Sequence, residues 1–162
     1  MDALGGLRIG RIDAQVPGLP ALVADHAAHS AAHYPAESNH HLDLEGLARS
    51  GLRLFGGFRG GELVAMGGYL PFAPGEAEVK SMHVRSDARG LGAGRAILDA
   101  IIASARSEDI GRLGLETGSR PASEAARRLY RRAGFVDQAP EAIPVAAQGD
   151  RLANAILAAL IQ

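Results

Sequence analysis

Apolar positions along this chain change their spacing several times, and each change marks a new element. Leu7, Ile9 and Ile12 predict a first strand, and Pro17 to about His33, with Leu19, Leu22 and Val23 apolar, predicts a helix. Leu52 to Arg59 and Leu63 to Leu70 are apolar runs separated by Gly60-Gly61-Glu62, which predicts a β-hairpin. Pro71 to Gly75 reads as a loop leading into a strand from Glu78 to Val84, and that strand breaks at the polar Arg85-Ser86-Asp87. A glycine-rich turn follows, and then at once a helical period. Ile97, Leu98, Ile101, Ile102 and Ala105 share one face, with Arg95, Asp99 and Arg106 off it. A further strand and helix carry the pattern to Tyr130. Pro121 to Ala133 has proline near its start and Gly134 just past its end, the usual helical asymmetry.

The turn at Arg89, Gly90, Gly92 and Gly94 is the first place where the pattern suggests chemistry. A helix that opens from such a turn presents backbone N–H groups without helical partners, and its dipole adds partial positive charge there. Glycines let anionic oxygens approach those amides closely, and Arg89 and Arg95 flank the turn. The alternative is an ordinary strand-to-helix connection with glycines for tight packing. Two phosphate motifs fail on spacing. A P-loop requires G-x-x-x-x-G-K-[ST], and here Arg95-Ala96 stands without Lys-Ser or Lys-Thr. A dinucleotide motif requires G-x-G-x-x-G, and its last position falls on Arg95 or Ile97.

What fits is R-x-x-G-x-G, Arg89 through Gly92 to Gly94, after a strand ending in Met82-His83-Val84. This resembles the pyrophosphate loop of the GNAT superfamily of acetyl-CoA-dependent N-acetyltransferases. Leu113 to Thr117 resembles that family's fifth strand, and AARRLYRRAGF, Ala125 to Phe135, resembles its A-x-x-L-Y-x-x-x-G-F segment. The three matches fall in the family's order over about sixty residues. Ser86 departs from it, since many relatives carry proline there, which affects only the stiffness of the turn. The resemblance implies a single α/β (α+β) domain over 1–162, a mixed, mostly antiparallel central sheet flanked by helices. It implies acetyl-CoA as co-substrate, held by Met82, His83, Val84, Arg89, Gly90, Leu91, Gly92, Ala93, Gly94, Arg95, Ser123 and Tyr130. It also implies a final strand in the tail, whereas the alanine content of Arg151 to Ile161 argues for helix. The two stand level.

Composition narrows the classes. At 47% hydrophobic and 22% charged, the chain reads as a soluble globular domain with a core of its own. A net charge of −1 offers no field to recruit nucleic acid or an anionic membrane, so neither is expected as a partner. The N-terminal stretch lacks an apolar core of signal-peptide length, and the expected location is cytoplasmic. There is no cysteine, which removes disulfides, thiolate metal sites and an acyl-cysteine intermediate together.

His26, His29 and His33 stack along one side of the predicted helix at i, i+3 and i+7, and His40 and His41 follow. Such a cluster could supply imidazole ligands to a metal and support a metal-dependent hydrolase. Asp25, the carboxylate beside it, is expected to point elsewhere, so a solvated or partly packed face is preferred and no metal is expected. HYPAESNHHLDLEGL, His33 to Leu47, resembles a P-x-E-S-x-H-x-L-D segment of one bacterial subgroup of the superfamily. GEAEVKSM and LETG resemble two more of its segments. The resemblance makes Glu37, Ser38 and His40 acceptor-binding candidates, with Lys80 beside them. The same stretch reads equally well as a turn before a helix capped by Asp43.

Acetyl transfer from a thioester to an amine needs proximity, a deprotonated amine, a stabilised oxyanion and a proton for the departing thiolate. Without cysteine, direct attack in a ternary complex is the economical route. Tyr130 is the candidate acid, because a phenol near pKa 10 can protonate a thiolate near 8.5. The oxyanion would meet a backbone N–H near Met82 to Val84. Glu78 and Glu116, on the strands that would line the cleft, are candidate bases through a water. The expected acceptor is a small-molecule or protein amine, and the resemblance leaves room for a homodimer. A CoA-binding sensor or interaction module without catalysis is the alternative function.

Overall fold

A computed structural model describes residues 6–33, 43–49, 51–118, 121–138 and 154–161. The order is β1 (Arg8–Ile12), α1 (Leu19–His33), α2 (Leu44–Arg49), β2 (Arg53–Arg59), β3 (Glu62–Ala73) and β4 (Glu76–Val84). Then follow α3 (Ala93–Ser107), β5 (Arg112–Gly118), α4 (Glu124–Arg132), β6 (Val136–Gln138) and β7 (Asn154–Leu160). All seven strands join one sheet in the order β1-β2-β3-β4-β5-β7-β6. Every neighbouring pair is antiparallel except β4 and β5. This is the mixed, mostly antiparallel α/β sheet that the resemblance implied.

The pleat divides the core in two. Successive strand residues face opposite sides, so Leu54 joins one apolar cluster and Phe55 the other. On one side Ile97, Leu98 and Ile101 of α3 are fully buried against Ala65, Tyr69 and Val79. This is the face that the helical period marks. On the other side Leu19, Leu22 and Val23 of α1 cover Leu54, Leu63 and Met66. Asp43 caps α2, its Oδ1 accepting from Gly46 N–H at 2.7 Å.

Two boundaries differ from the sequence reading, and one open alternative is decided. The loop expected over residues 71–75 shrinks to a turn at 74–75: β3 continues to Ala73 and β4 begins at Glu76, with Pro71 opposite Ala77. A proline cannot donate to the ladder, and the register slips beside it, between Pro71 and Ala73. The first helix begins at Leu19, two residues after Pro17. Of the two forms left open for the tail, it takes the strand, β7, because β5 offers it a full antiparallel ladder from Arg112↔Leu160 to Gly118↔Asn154. Pairing outweighs alanine content there.

A bulge bends β4. Gly68 pairs with Lys80 but Met66 pairs with His83, so Gly67 alone faces both Ser81 and Met82. Ser81 takes φ +61°, unusual for a residue with a side chain. Glycines make room for this. A Cβ on Gly67 would meet the Met82 sulfur at 2.2 Å, and one on Gly68 would meet the Arg53 carbonyl oxygen at 2.4 Å. The Met82 tip can swing aside, leaving the Ile97 methyl at 2.8 Å to give by a few tenths of an ångström, whereas a strand backbone at 2.4 Å cannot. Gly68→Ala is therefore expected to destabilise more than Gly67→Ala, by about 1–3 kcal/mol or more. Thermal melts of both variants check this.

The far end of α3 is clasped to the sheet. The hydroxyl of buried Tyr69 bonds Ser104 Oγ at 2.7 Å and also donates to Glu108. Arg53 grips the same carboxylate from Nε at 3.0 Å and Nη2 at 2.8 Å. Arg53, then Tyr69, hold the Glu108 carboxyl below its usual 4.5. The clasp is thus complete above that value and loosens as pH falls through the lowered one.

Candidate active site

β4 and β5 pair only from Glu76↔Arg112 to Val79↔Leu115. Beyond that point they part, and among the described residues Lys80 to Val84 have strand partners on β3 alone. The gap opens into a cleft of about 810 Å³, a size that admits a ligand. Residues from both sides of the gap line it, together with α1, the turn before α3, and α4.

Gly92 stands at the N-cap of α3 with φ +83°, and Gly90 has φ +79° with nothing within 4 Å of where a Cβ would sit. The turn is thus left-handed at two glycines and open toward the cleft. Gly90, Gly92, Ala93, Gly94, Arg89 and Arg95 all line the cleft. Arg89 donates from Nε to the Val84 carbonyl at 3.1 Å, which fixes the turn to the end of β4. Arg95 pairs with Asp99 at 2.9 Å on the helix surface. Leu91 is different: it does not line the cleft but sits, 45% exposed, over a small hollow beside Leu7 and Val64. Its side chain is therefore no part of the cleft lining.

Tyr130 lines the cleft from α4 and packs its ring on Phe135 at 5.7 Å. It is buried, and burial pushes its hydroxyl well above the usual value of 10. Such a phenol is neutral, and a donor, at every physiological pH. Ser123, Met82, His83 and Val84 also line the cleft, as do both candidate bases. Glu78 is buried and paired with Lys80, whose Nζ lies 3.4 Å from Oε2, so the pair rather than a free carboxylate faces the cleft. Glu116 lines the β5 side. Glu37, Ser38 and His40 lie outside the described residues.

Several lining residues escaped the sequence reading. Ser81 at the bulge is 7% exposed, and its buried Oγ has no hydrogen-bond partner among the described residues. Nothing local marks it, since Lys-Ser-Met reads as plain strand. Asp25 does not point elsewhere, as expected, but reaches His83 across the α1–β4 interface, Oδ2 to Nε2 2.6 Å. His26 then stacks on the His83 ring and His29 is tilted against it, so of the solvated or partly packed face expected the partly packed form is the one found. Among the described residues, no three His, Asp or Glu side chains converge as a metal site. No described helix is long and apolar enough to cross a membrane.

The comparisons with known proteins agree with this architecture. The sequence profile of the Acetyltransferase (GNAT) family matches residues 21–135. The IAA acetyltransferase of Azospirillum brasilense is 43% identical over 108 residues, covering 66% of this chain and 69% of that protein. A candidate acyl-CoA N-acyltransferase from Klebsiella pneumoniae superposes with a TM-score of 0.79 at 26% identity, over 99% of this chain and 100% of that one. The N-acetylglutamate synthase of Neisseria gonorrhoeae, solved with coenzyme A and N-acetyl-glutamate, shares the fold at 18% identity and a TM-score of 0.71. That match covers 96% of this chain and 35% of the synthase. With the profile spanning well over half its length, the chain belongs to the GNAT acetyltransferase family.

Proposed function

We propose that this protein moves an acetyl group from acetyl-CoA to an amine of a small molecule or protein, by direct attack in a ternary complex. The observation that carries this reading is the parting of β4 from β5 beside the left-handed glycine turn. The unpaired edge of β4 supplies amides for an extended arm, and the turn supplies amides and a helix dipole for a diphosphate. The residues fit coenzyme A on that ground. The main chain of Met82 to Val84 and of Leu91, with Arg89, Gly90, Gly92 to Gly94 and Ser123, would hold it, and it would supply the thioester.

Within the cleft the chain's own groups divide the work. An N–H on the free edge near Met82 to Val84 meets the oxyanion, as a fixed donor in a partly dry site. Tyr130 holds a proton ready for the departing sulfur. The C–N bond forms as the C–S bond breaks, and the amine gives up two protons, one ending on sulfur and one on a base. Glu78 and Glu116 line the cleft, but Glu78 is paired with Lys80, so lining alone does not make either of them the base. Thiol release from acetyl-CoA, measured with the native chain over a panel of amines, tests the reading. Acetyl-CoA binding without release on any amine would favour a silent CoA-binding module instead.

A further inference from the structure

Asp25 and His83 stand 58 positions apart, and folding brings Oδ2 of one to 2.6 Å from Nε2 of the other. The His83 side chain is 4% exposed and that of Asp25 51%, so a carboxylate still reached by water holds a buried imidazole. A neutral ring that donates from Nε2 to Asp25 carries its lone pair on Nδ1 and can accept a proton there. His26 stacks on this ring with centroids 5.0 Å apart and planes inclined by 28°, and His29 lies 6.2 Å away. The ring is thus fixed in orientation. It also lines the same cleft as Tyr130. A base oriented by a carboxylate behind it is a recurrent way to activate a nucleophile. Glu78, by contrast, already faces Lys80.

We propose that His83, oriented by Asp25, takes the first proton from the acceptor amine. This assignment deepens the acetyl-transfer reading and rests on it. The ammonium gives a proton to Nδ1, leaving a neutral amine and an imidazolium paired with Asp25. As the C–N bond forms and the C–S bond breaks, Tyr130 protonates the sulfur and recovers a proton from the amine nitrogen. His83 then returns its proton to water, and the balance closes.

The titratable and charged groups facing His83 are Asp25, His26 and His29 from α1 and Arg89 from the turn. Its partner on β3, Met66, is apolar. Burial, chiefly, holds the imidazole below its usual 6.5; Asp25 opposes this and Arg89 adds to it. A base so placed is unprotonated at neutral pH, and the rate falls as pH drops through its folded value.

The test compares pH profiles of amine turnover for the full-length native chain, His83→Gln, Asp25→Asn and Glu78→Gln, with acetyl-CoA affinity measured alongside by calorimetry. His83→Gln should lose about 10²-fold in kcat/KM for the amine, the low end for a general base because water can substitute. It should also lose the acid limb and keep its acetyl-CoA affinity. Asp25→Asn removes the carboxylate that favours the imidazolium, so its limb should move to lower pH, which a purely structural role would not produce. Glu78→Gln should retain the limb. In the native chain the His83 proton signal should titrate by NMR at the pH of the limb. Turnover and limb surviving in His83→Gln, or a limb lost only in Glu78→Gln, overturn this assignment alone. Failure of the native chain to release thiol with any amine overturns the acetyl-transfer reading as well.

Discussion

Tyr130→Phe is expected to lower kcat by about 10³-fold, within the range that general acid catalysis supplies, while leaving acetyl-CoA affinity and thermal stability nearly unchanged. The contrast follows from where the hydroxyl sits. Tyr130 is 5% exposed, and burial alone accounts for its raised pKa, with no hydrogen bond contributing. Among the described residues its hydroxyl has no hydrogen-bond partner, so removing it leaves none of them unsatisfied and the fold should not suffer. The ring keeps its contact with Phe135. A thiolate without a donor departs slowly, and only the rate reports that loss. The alkaline side of the native pH profile should also show no break from this tyrosine below about pH 10. Steady-state kinetics beside a thermal melt decides the matter: a variant that unfolds early, or that turns over at the native rate, removes Tyr130 from the chemistry.

Gly92→Leu should raise the Kd for acetyl-CoA by about 10³-fold. At φ +83° the N-cap of α3 occupies a backbone region that a branched side chain enters only with strain. On the proposed binding mode, a side chain on Gly92 would also crowd the diphosphate oxygens away from the amides. Losing two charge-assisted hydrogen bonds, at roughly 1.5–3 kcal/mol each, corresponds to about three decades of affinity. Calorimetric titration with coenzyme A reads the effect without turnover. Unchanged affinity would displace the diphosphate from this turn.

How much of this could be read along the chain depended on how local the signal was. α3 and its turn were legible because a 3.6-residue period and three glycines lie within fifteen positions of one another. The β2–β3 hairpin was legible from Gly60-Gly61, both left-handed in the structure. Ser81 was not, because a bulge is set by the partner strand slipping past it, and no residue type announces it. The Asp25–His83 contact was hidden for a related reason. Helical spacing places Asp25 beside the histidines, but only the packing of α1 on β4 shows what its carboxylate meets. β7 shows the same limit, since its alanines permit either form and β5 chooses for them.

The clasp at Tyr69, Arg53 and Glu108 bears on ligand affinity from the wrong end of the molecule. α3 has fifteen residues, so it is a stiff rod roughly 22 Å long, with the clasp at its base and the glycine turn at its tip. A few degrees of slack at the base would swing the tip by about 1 Å, comparable to the tolerance of a hydrogen bond. Drift among homologues at residues 53, 69 and 108 would then tune coenzyme grip as a lever does, without touching a single group that the coenzyme meets.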